Sequence, residues 1–283
     1  MPTGFAGRGR RPSVMRPRFF VDVTVLGLSA GHADLPAASA ALPGVEVSLS
    51  AGDAHHARRV LRAQAGDECE LVLEPLSVLV RAVFVEVGDD VVVRIEEVCA
   101  ALTESRVQVA LVQALPDPRK VDEIVEKGTE VGTDLFLIVP ASASPPVPID
   151  RLIERATRWR RIAREAAKQS RRLSIPVVEI APSLSGARAH LDAGGWAGLV
   201  LDPQSGHPFR KSVEDVARTS QPARVALWVG PESGWSEVEL TWFGREQLPV
   251  VSLGREVLRT ETAGPVGAAV CRFALGDWEY TQA

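Results

Sequence analysis

Cysteine is scarce in this chain: three residues, Cys69, Cys99 and Cys271, among 283. None stands in a Cys-x-x-Cys pair, and three cannot all pair with one another. Neither a disulfide framework nor a zinc knuckle is therefore written into the sequence, and three small buried thiols in a reducing cytoplasm are expected. The five histidines (His32, His55, His56, His190, His207) have no ligand spacing with cysteine or with one another, so no metal site is expected. No apolar run approaches the length that spans a bilayer. The first residues, Met1 to Arg18, are rich in Gly, Pro and Arg and lack an apolar stretch. They read as a disordered leader over 1–17 rather than a secretory signal.

Several ligand motifs are missing too. A dinucleotide fold places Gly-x-Gly-x-x-Gly after its first strand. Here the apolar strand Val107–Leu115 runs into Pro116-Asp117-Pro118, and the glycines Gly194, Gly195 and Gly198 precede a strand instead of following one. There is no phosphate-binding P-loop and no Gly-x-Ser-x-Gly nucleophile elbow.

The residues that are present divide the chain in two. Residues 18–100 carry short β-rich runs: Arg18–Val25, Val45–Leu49, Glu70–Leu73, Val78–Val87 and Val91–Val98. Gly88-Asp89-Asp90 is a hairpin turn between the last two. A short helix over Asp53–Arg62 is expected to bury Val60 and Leu61. Strands at this spacing suggest a small β-barrel. From residue 101 to 283 strands and helices alternate, as in an α/β domain with a parallel sheet. Strands are expected at Val107–Leu115, Leu135–Val139, Ile175–Ile180, Ala197–Leu201, Val225–Val229 and Val250–Leu253. Helices are expected at Lys120–Val131, Asp150–Arg172, Ser183–Ala193, Lys211–Arg218, Ser236–Arg245 and Thr262–Leu275. Asp117-Pro118 reads as a helix cap and first turn.

Two strand-to-helix turns stand out. Val225–Val229 runs into Gly230-Pro231-Glu232-Ser233-Gly234, and Ser236 with Glu239 forms a capping box beyond it. Val250–Leu253 runs through Gly254 into Arg255, Glu256, Arg259 and Glu261, charges crowded around Val257 and Leu258. The C-terminal ends of parallel strands are where α/β folds bind ligands. A third feature is electrostatic. The net charge is −4, yet Arg151 to Arg172 holds nine basic residues against Glu154 and Glu165. With Ile153, Ala156, Ile162, Ala166 and Ala167 left for packing, that helix is a candidate phosphate-contacting face.

Taken together, six blocks resemble the bacterial 16S ribosomal RNA uridine N3-methyltransferases, the RsmE family of the SPOUT superfamily. They are Arg18-Phe19-Phe20, the stretch from His56 through Arg59-Val60-Leu61-Arg62, and Lys120 with Glu126-Lys127, Glu130 and Gly132. Then come Arg164 to Ser170, Gly230 to Gly234, and Leu253 to Ala263. Ser233 and Arg171 stand where the family usually has Gly, and Leu201-Asp202-Pro203 departs from its common Leu-His-Glu.

The resemblance implies a PUA-like RNA-binding barrel (18–100) and a trefoil-knotted SPOUT methyltransferase domain (101–283). It implies S-adenosylmethionine as cofactor, a homodimer, and the 16S ribosomal RNA of the small subunit as partner, with no membrane and no metal. Carried over by motif, the cofactor contacts are Leu201, Gly230, Pro231, Glu232, Gly234, Leu253, Gly254, Val257, Leu258 and Thr262. Arg259 is the candidate for stabilising charge on the base, with Glu232 or Glu261 as proton acceptor. Arg18, Arg59, Arg62, Arg164, Lys168, Gln169 and Arg172 are the candidates for holding RNA. Two alternatives remain at this point: methylation of a ribose 2′-hydroxyl or another base, and an RNA-binding assembly factor without catalysis.

Overall fold

A computed structural model describes residues 16–26, 41–74, 76, 78–101, 107–218 and 223–278. Nearly all of the expected leader and most of the loop before Leu42 lie outside the described residues. The chain divides into two compact units, 1–102 and 103–283.

The first unit is a five-stranded sheet. Its strands are β1 (Arg18–Asp22), β2 (Glu46–Ser48), β3 (Glu68–Glu74), β4 (Val78–Val87) and β5 (Val91–Ala101), in the order β1-β3-β4-β5-β2. β1 and β3 are parallel, with Arg18 opposite Glu70; the other pairs are antiparallel. Period-two alternation buries Val78, Val80, Ala82 and Phe84 of β4 on one face. Phe19 meets Phe84 edge-on in that core, with ring centroids 6.2 Å apart. Irregularities in the β4–β5 register fall at three places, where bulges bend the pair.

The helix of this unit corrects the sequence reading. α1 (Ala51–His56) is capped by Ser50, whose hydroxyl accepts from the Asp53 amide, and continues as a wider π turn over Ala57–Leu61. A π turn advances each residue through a smaller angle than an α-helix, so the inward face shifts. Asp53, Ala54 and Ala57 face inward, while Val60 is 64% exposed and Leu61 is exposed beside it.

The second unit is a wholly parallel six-stranded sheet. Its strands are β6 (Val107–Ala114), β7 (Leu135–Val139), β8 (Val177–Ile180), β9 (Ala197–Leu201), β10 (Ala223–Val229) and β11 (Val250–Val251). Their order is β11-β9-β10-β6-β7-β8. Continuous apolar strands feed a core on each face. On β10, Val225, Leu227 and Val229 point into one core and Ala226 and Trp228 into the other. The helices are α2 (Pro118–Glu130), α3 (Ile149–Gln169), α4 (Leu184–Ala193), α5 (Phe209–Ala217), α6 (Glu237–Arg245) and α7 (Thr260–Ala274). Asp117 caps α2 by accepting from the Arg119 amide, with Pro118 in the first turn, and Gly132 (φ 97°) follows its end.

Helix α3 packs through Ala156, Ala166 and Ala167 as expected, with Ile162 partly buried, and departs from the expectation at Ile153. Leu152, Ala156, Trp159 and Ala163 are buried, and Ile153 is exposed. The spacing of four, three and four residues from Leu152 is the helical stripe, and the large indole of Trp159 fills it. The helix ends at Ser170, and Arg171 adopts left-handed backbone (φ 59°). That conformation favours glycine, the residue the resembling family commonly carries there.

Candidate functional site

The chain leaves β6 toward β7 and β8 on one side, then returns so that β10 lies against β6 on the other. The ends of strands at such a reversal bound a natural crevice. Here it is a cavity of about 440 Å³. Leu201, Asp202 and Pro203 come from the end of β9; Val229 to Glu232, Gly234 and Trp235 come from the turn after β10. Ser252, Leu253 and Glu256 to Glu261 come from the segment between β11 and α7, with Ala263 beyond, and Lys120 comes from the first turn of α2.

Backbone proximity shapes the turn after β10. A Cβ on Gly230 would sit 3.2 Å from the Cα and carbonyl carbon of Gly234, so the two arms of the turn touch. Gly234 takes positive φ (75°) and its amide donates to the Pro231 carbonyl at 2.9 Å. Ser233 is not among the positive-φ residues, so a side chain is accommodated there.

Beneath the turn lies a polar tie in an apolar setting. Gln113, fully buried near the end of β6, donates through Nε2 to the Ala114 carbonyl (2.8 Å) and to Thr260 Oγ1 (3.0 Å). Thr260 Oγ1 in turn donates to the Gly230 carbonyl at 2.6 Å. Helix α7 approaches the sheet closely because it presents glycines. A Cβ on Gly267 would lie 3.1 Å from Leu227 Cδ1 and 3.2 Å from Leu201 Cδ1.

Charged groups surround the mouth. The Lys120 ammonium lies 3.1 Å from Glu232 Oε1 and 3.2 Å from Glu261 Oε2. Glu261, with its side chain only 10% exposed, also lies 4.0 Å from the Arg259 guanidinium, which is open to solvent. The Asp117 amide donates to Glu232 Oε1 at 3.1 Å. The Glu232 carboxylate beside it raises the Lys120 pKa against partial desolvation, with Glu261 adding to the effect. Burial works to raise the Glu232 carboxyl, but amide donors and Lys120 outweigh it and hold it below the ordinary range.

The structure brings together most of the residues singled out in the sequence. Leu201, Gly230, Pro231, Glu232, Gly234, Leu253, Val257 and Leu258 line the cavity, as do Arg259 and Glu261. Gly254 and Thr262 are not among its lining residues. Gly254 is engaged with Ser252, whose hydroxyl donates to its carbonyl at 2.8 Å, and the Thr262 amide closes the first turn of α7 on the Arg259 carbonyl. α7 starts two residues earlier than the sequence suggested, which brings Thr260 to the cavity instead. Sequence reasoning also missed Lys120, Asp202, Trp235, Ser252 and Glu256 as lining residues. Lys120 stands in one of the six family-resembling blocks, and Gln113 is one of two amides, with Gln108, in an otherwise apolar strand; those are the available signals.

The predicted RNA contacts separate into two groups. Arg59 and Arg62 are exposed and border, with Arg58, a shallow basic concavity against Gly88 and Asp89. Gln169 is exposed at the end of α3, and Arg164 is half-buried. Three others are turned to internal work, which corrects their reading as phosphate holders. Arg18 is buried against Glu70, its opposite number on β3 (2.7 Å). Lys168 is buried, 2.8 Å from Glu165. Arg172 donates to the Thr129 and Thr133 carbonyls and to Asp134 Oδ1. The exposed basic face of α3 is thinned further by Arg158, paired with Asp122 at 2.7 Å, and by Arg160, which donates to the Val178 carbonyl.

Residues 103–272 match the RNA methyltransferase domain family. The ribosomal RNA small subunit methyltransferase E of Synechocystis sp. is 31% identical over 229 residues, covering 79% of this chain and 71% of that protein. A putative methyltransferase of Legionella pneumophila, solved with the bound cofactor S-adenosylmethionine, superposes with a TM-score of 0.74 at 25% identity, covering 92% of this chain and 98% of its own. The ribosomal RNA small subunit methyltransferase E of Neisseria gonorrhoeae, solved with S-adenosylmethionine, has the same fold, with a TM-score of 0.73 at 23% identity and coverage of 91% and 97%. The chain belongs to the ribosomal RNA small subunit methyltransferase E family of RNA methyltransferases.

Proposed function

We propose that this protein transfers a methyl group from S-adenosylmethionine to N3 of a specific uridine in the 16S ribosomal RNA of the small subunit. The observation that carries the reading is the cavity at the ends of β9, β10 and β11, with its cations and carboxylates gathered at one mouth. Its residues suit the cofactor. Leu201, Val229, Leu253 and Leu258 offer apolar surface for a flat purine, and Asp202, Glu232, Glu256 and Glu261 offer carboxylates for a sulfonium and an ammonium. Trp235 Nε1 and Glu261 Oε2, on residues that line the cavity, are buried without a hydrogen-bond partner among the described residues, two polar atoms that a ligand or water would satisfy.

When bound, the cofactor supplies an electrophilic methyl group. The chain's part is to hold the acceptor base in line and manage one proton. A uracil imide nitrogen is a good nucleophile only as its proton leaves. Glu261 is the better placed acceptor of the two carboxylates, because Glu232 is held by amide donors that lower its basicity. Arg259, exposed at the cavity mouth, faces the charge that gathers on the uracil oxygens. Arg59, Arg62, Arg164 and Gln169 contact the RNA backbone.

Further parts of the reading follow the family resemblance. The first unit is a PUA-like barrel over 18–100, and the second is a trefoil-knotted SPOUT domain over 101–283. The protein works as a homodimer in the cytoplasm. Support for the dimer comes from α7, where Val266, Val270 and Phe273 form an exposed apolar stripe at helical spacing, Phe273 being 70% exposed. Among the described residues no helix is long and apolar enough to cross a membrane, and no cluster of metal-ligating side chains occurs.

The test is labelled methyl incorporation into small subunits from a strain lacking the gene, followed by mass spectrometry of nucleosides. Recovery of 3-methyluridine supports the reading. A 2′-O-methylated or otherwise methylated nucleoside moves the chemistry elsewhere, and the absence of any calorimetric signal with S-adenosylmethionine makes the protein a binder only.

A further inference from the structure

Lys120 is placed where three strand ends meet. It sits in the first turn of α2, after β6, and its ammonium bridges Glu232 of the turn after β10 and Glu261 of the first turn of α7. An ammonium has three N–H donors. No more than two can be engaged by these carboxylates, since Glu261 Oε2, though 3.2 Å away, is buried without a hydrogen-bond partner; the third has none among the described residues, and the side chain lines the cavity about one-third exposed. Glu261, nearly buried, would keep only the longer 4.0 Å contact with the exposed Arg259 guanidinium without it.

We propose that Lys120 is a catalytic residue: its third N–H donates to the carbonyl oxygen of the acceptor base that turns anionic as the neighbouring ring nitrogen loses its proton. The inference rests on the methyl-transfer reading above. In the step, the N–H bond of the base breaks and its proton passes to the Glu261 carboxylate. The freed nitrogen electron pair forms the new bond to the methyl carbon. The carbon–sulfur bond breaks, its pair stays on sulfur, and the sulfonium charge disappears. A cation and a carboxylate thus become a neutral thioether and a neutral carboxylic acid, and the charges balance. Neutralising Glu261 also weakens its hold on Lys120, which frees the ammonium toward the oxyanion at the moment the charge forms there. Lys120 itself is no base. Glu232 and Glu261 stabilise its charged form, so it stays protonated at neutral pH and acts as a donor.

The experiment compares the full-length protein with Lys120→Met and Lys120→Arg. It reads labelled methyl incorporation against pH at saturating cofactor, calorimetric affinity for S-adenosylmethionine, and Tm. The expected result for Lys120→Met is a rate down by about 100-fold, as when a preorganised oxyanion donor is removed. The residual rate should climb with pH over a range where the unaltered protein is already flat, and cofactor affinity should stay within about 3-fold. Lys120→Arg, which keeps the charge and the fold, should recover at least a tenth of the rate with the original pH profile. An unchanged rate in Lys120→Met overturns the proposal. So does a rate that falls in step with Tm and cofactor affinity while the pH profile stays put, since that describes only a brace for Glu261. If Lys120→Met fails to fold, Lys120→Gln takes its place in every comparison, and an unchanged rate or an unmoved pH profile in that variant overturns the proposal too. No methyl transfer by the unaltered protein, with the cofactor bound, defeats the methyl-transfer reading itself, and that outcome is separate from a defect confined to the variants.

Discussion

The hydroxyl of Thr260 donates to the carbonyl oxygen of Gly230 across 2.6 Å, joining the first residue of α7 to the turn after β10. Gln113 feeds the same hydroxyl from below at 3.0 Å, so the tie runs from β6 through α7 to the turn that shapes the cavity. Thr260→Val keeps the shape and removes the donor, which leaves the Gly230 carbonyl with only the long Gln113 Nε2 contact at 3.4 Å, at a cost of about 1–3 kcal/mol. We expect a lower Tm and roughly tenfold or greater weakening of S-adenosylmethionine binding by calorimetry, with Thr260→Ser close to the original. Unchanged affinity in the valine variant would detach this tie from the site.

Gly230 gives a sharper geometric prediction. Alanine there puts a methyl group 3.2 Å from the Gly234 backbone, and the backbone of a closed turn cannot give way as a side-chain tip can. Gly230→Ala should weaken cofactor binding by at least about tenfold, equivalent to about 1.4 kcal/mol, and lower Tm as well, because the strain is present in the fold before the cofactor binds. Gly206→Ala, where a Cβ would meet nothing within 4 Å, is the control and should bind normally.

The sequence carried the layered α/β architecture well because buried parallel strands leave an unmistakable pattern. Val225 to Val229 is apolar at every position since both faces are covered, and Leu135–Val139 was bounded correctly for the same reason. Local capping chemistry was equally readable at Asp117-Pro118 and at Ser236 with Glu239. What escaped depends on partners far along the chain. Nothing near Arg18 in sequence announces Glu70, and nothing near Arg172 announces the carbonyls of Thr129 and Thr133. A basic residue reads as a ligand for phosphate until its internal partner is seen. Lys120 was the reverse case: its two carboxylates sit on other strand ends, so only the fold shows that it faces the cavity. The π turn at Ala57–Leu61 was hidden because a single extra residue per turn leaves no compositional trace.

Asp134 anchors α3 and α7 at the opposite end of the sheet strands from the cavity. Its Oδ1 accepts from Arg172 and its Oδ2 from Arg272, both at 2.7 Å, and Oδ2 also accepts from the Val109 amide at 2.9 Å. Both guanidinium groups are nearly buried, and burial lowers the Arg172 pKa, so removing their shared counter-charge leaves Arg272 with Asp277 alone as its carboxylate and strips Arg172 of its Asp134 pair in a poor solvent for charge. Asp134→Asn should cost about 3 kcal/mol, the lower end for breaking a buried pair. That corresponds to a Tm lower by about 6–12 °C in a domain of this size. A scanning calorimetry shift under about 2 °C would mean the arginines find other partners.

Arg259 separates binding from chemistry. Its guanidinium is exposed, and among the described residues its ion-pair neighbour is Glu261, at 4.0 Å, so little of the fold depends on it. Arg259→Ala should therefore keep the Tm and the calorimetric affinity for S-adenosylmethionine while labelled methyl incorporation falls by about 100-fold or more, the scale of a lost donor to developing charge. Near-normal turnover would remove Arg259 from the chemistry.

The cysteines offer a readout of how α7 moves. Burial pushes the thiols of Cys69 and Cys271 up to about 12, whereas Cys99 is exposed. The thiolate is the reactive form, so a buried thiol with that pKa stays protonated and inert across the range in which ordinary cysteines react. At pH 8 the native protein should take up one equivalent of iodoacetamide, at Cys99 by peptide mass spectrometry, and raising the pH to 10 should not recruit the other two. Denaturation should expose all three. Cys271 lies on α7, the helix that begins with Thr260 and Glu261. Any slow native labelling of Cys271 therefore measures opening of that helix, and S-adenosylmethionine should slow it by tying down the N-terminal end. Labelling of Cys271 at the rate of Cys99, with or without cofactor, would show that α7 is not held against the sheet as the Thr260 and Asp134 ties require.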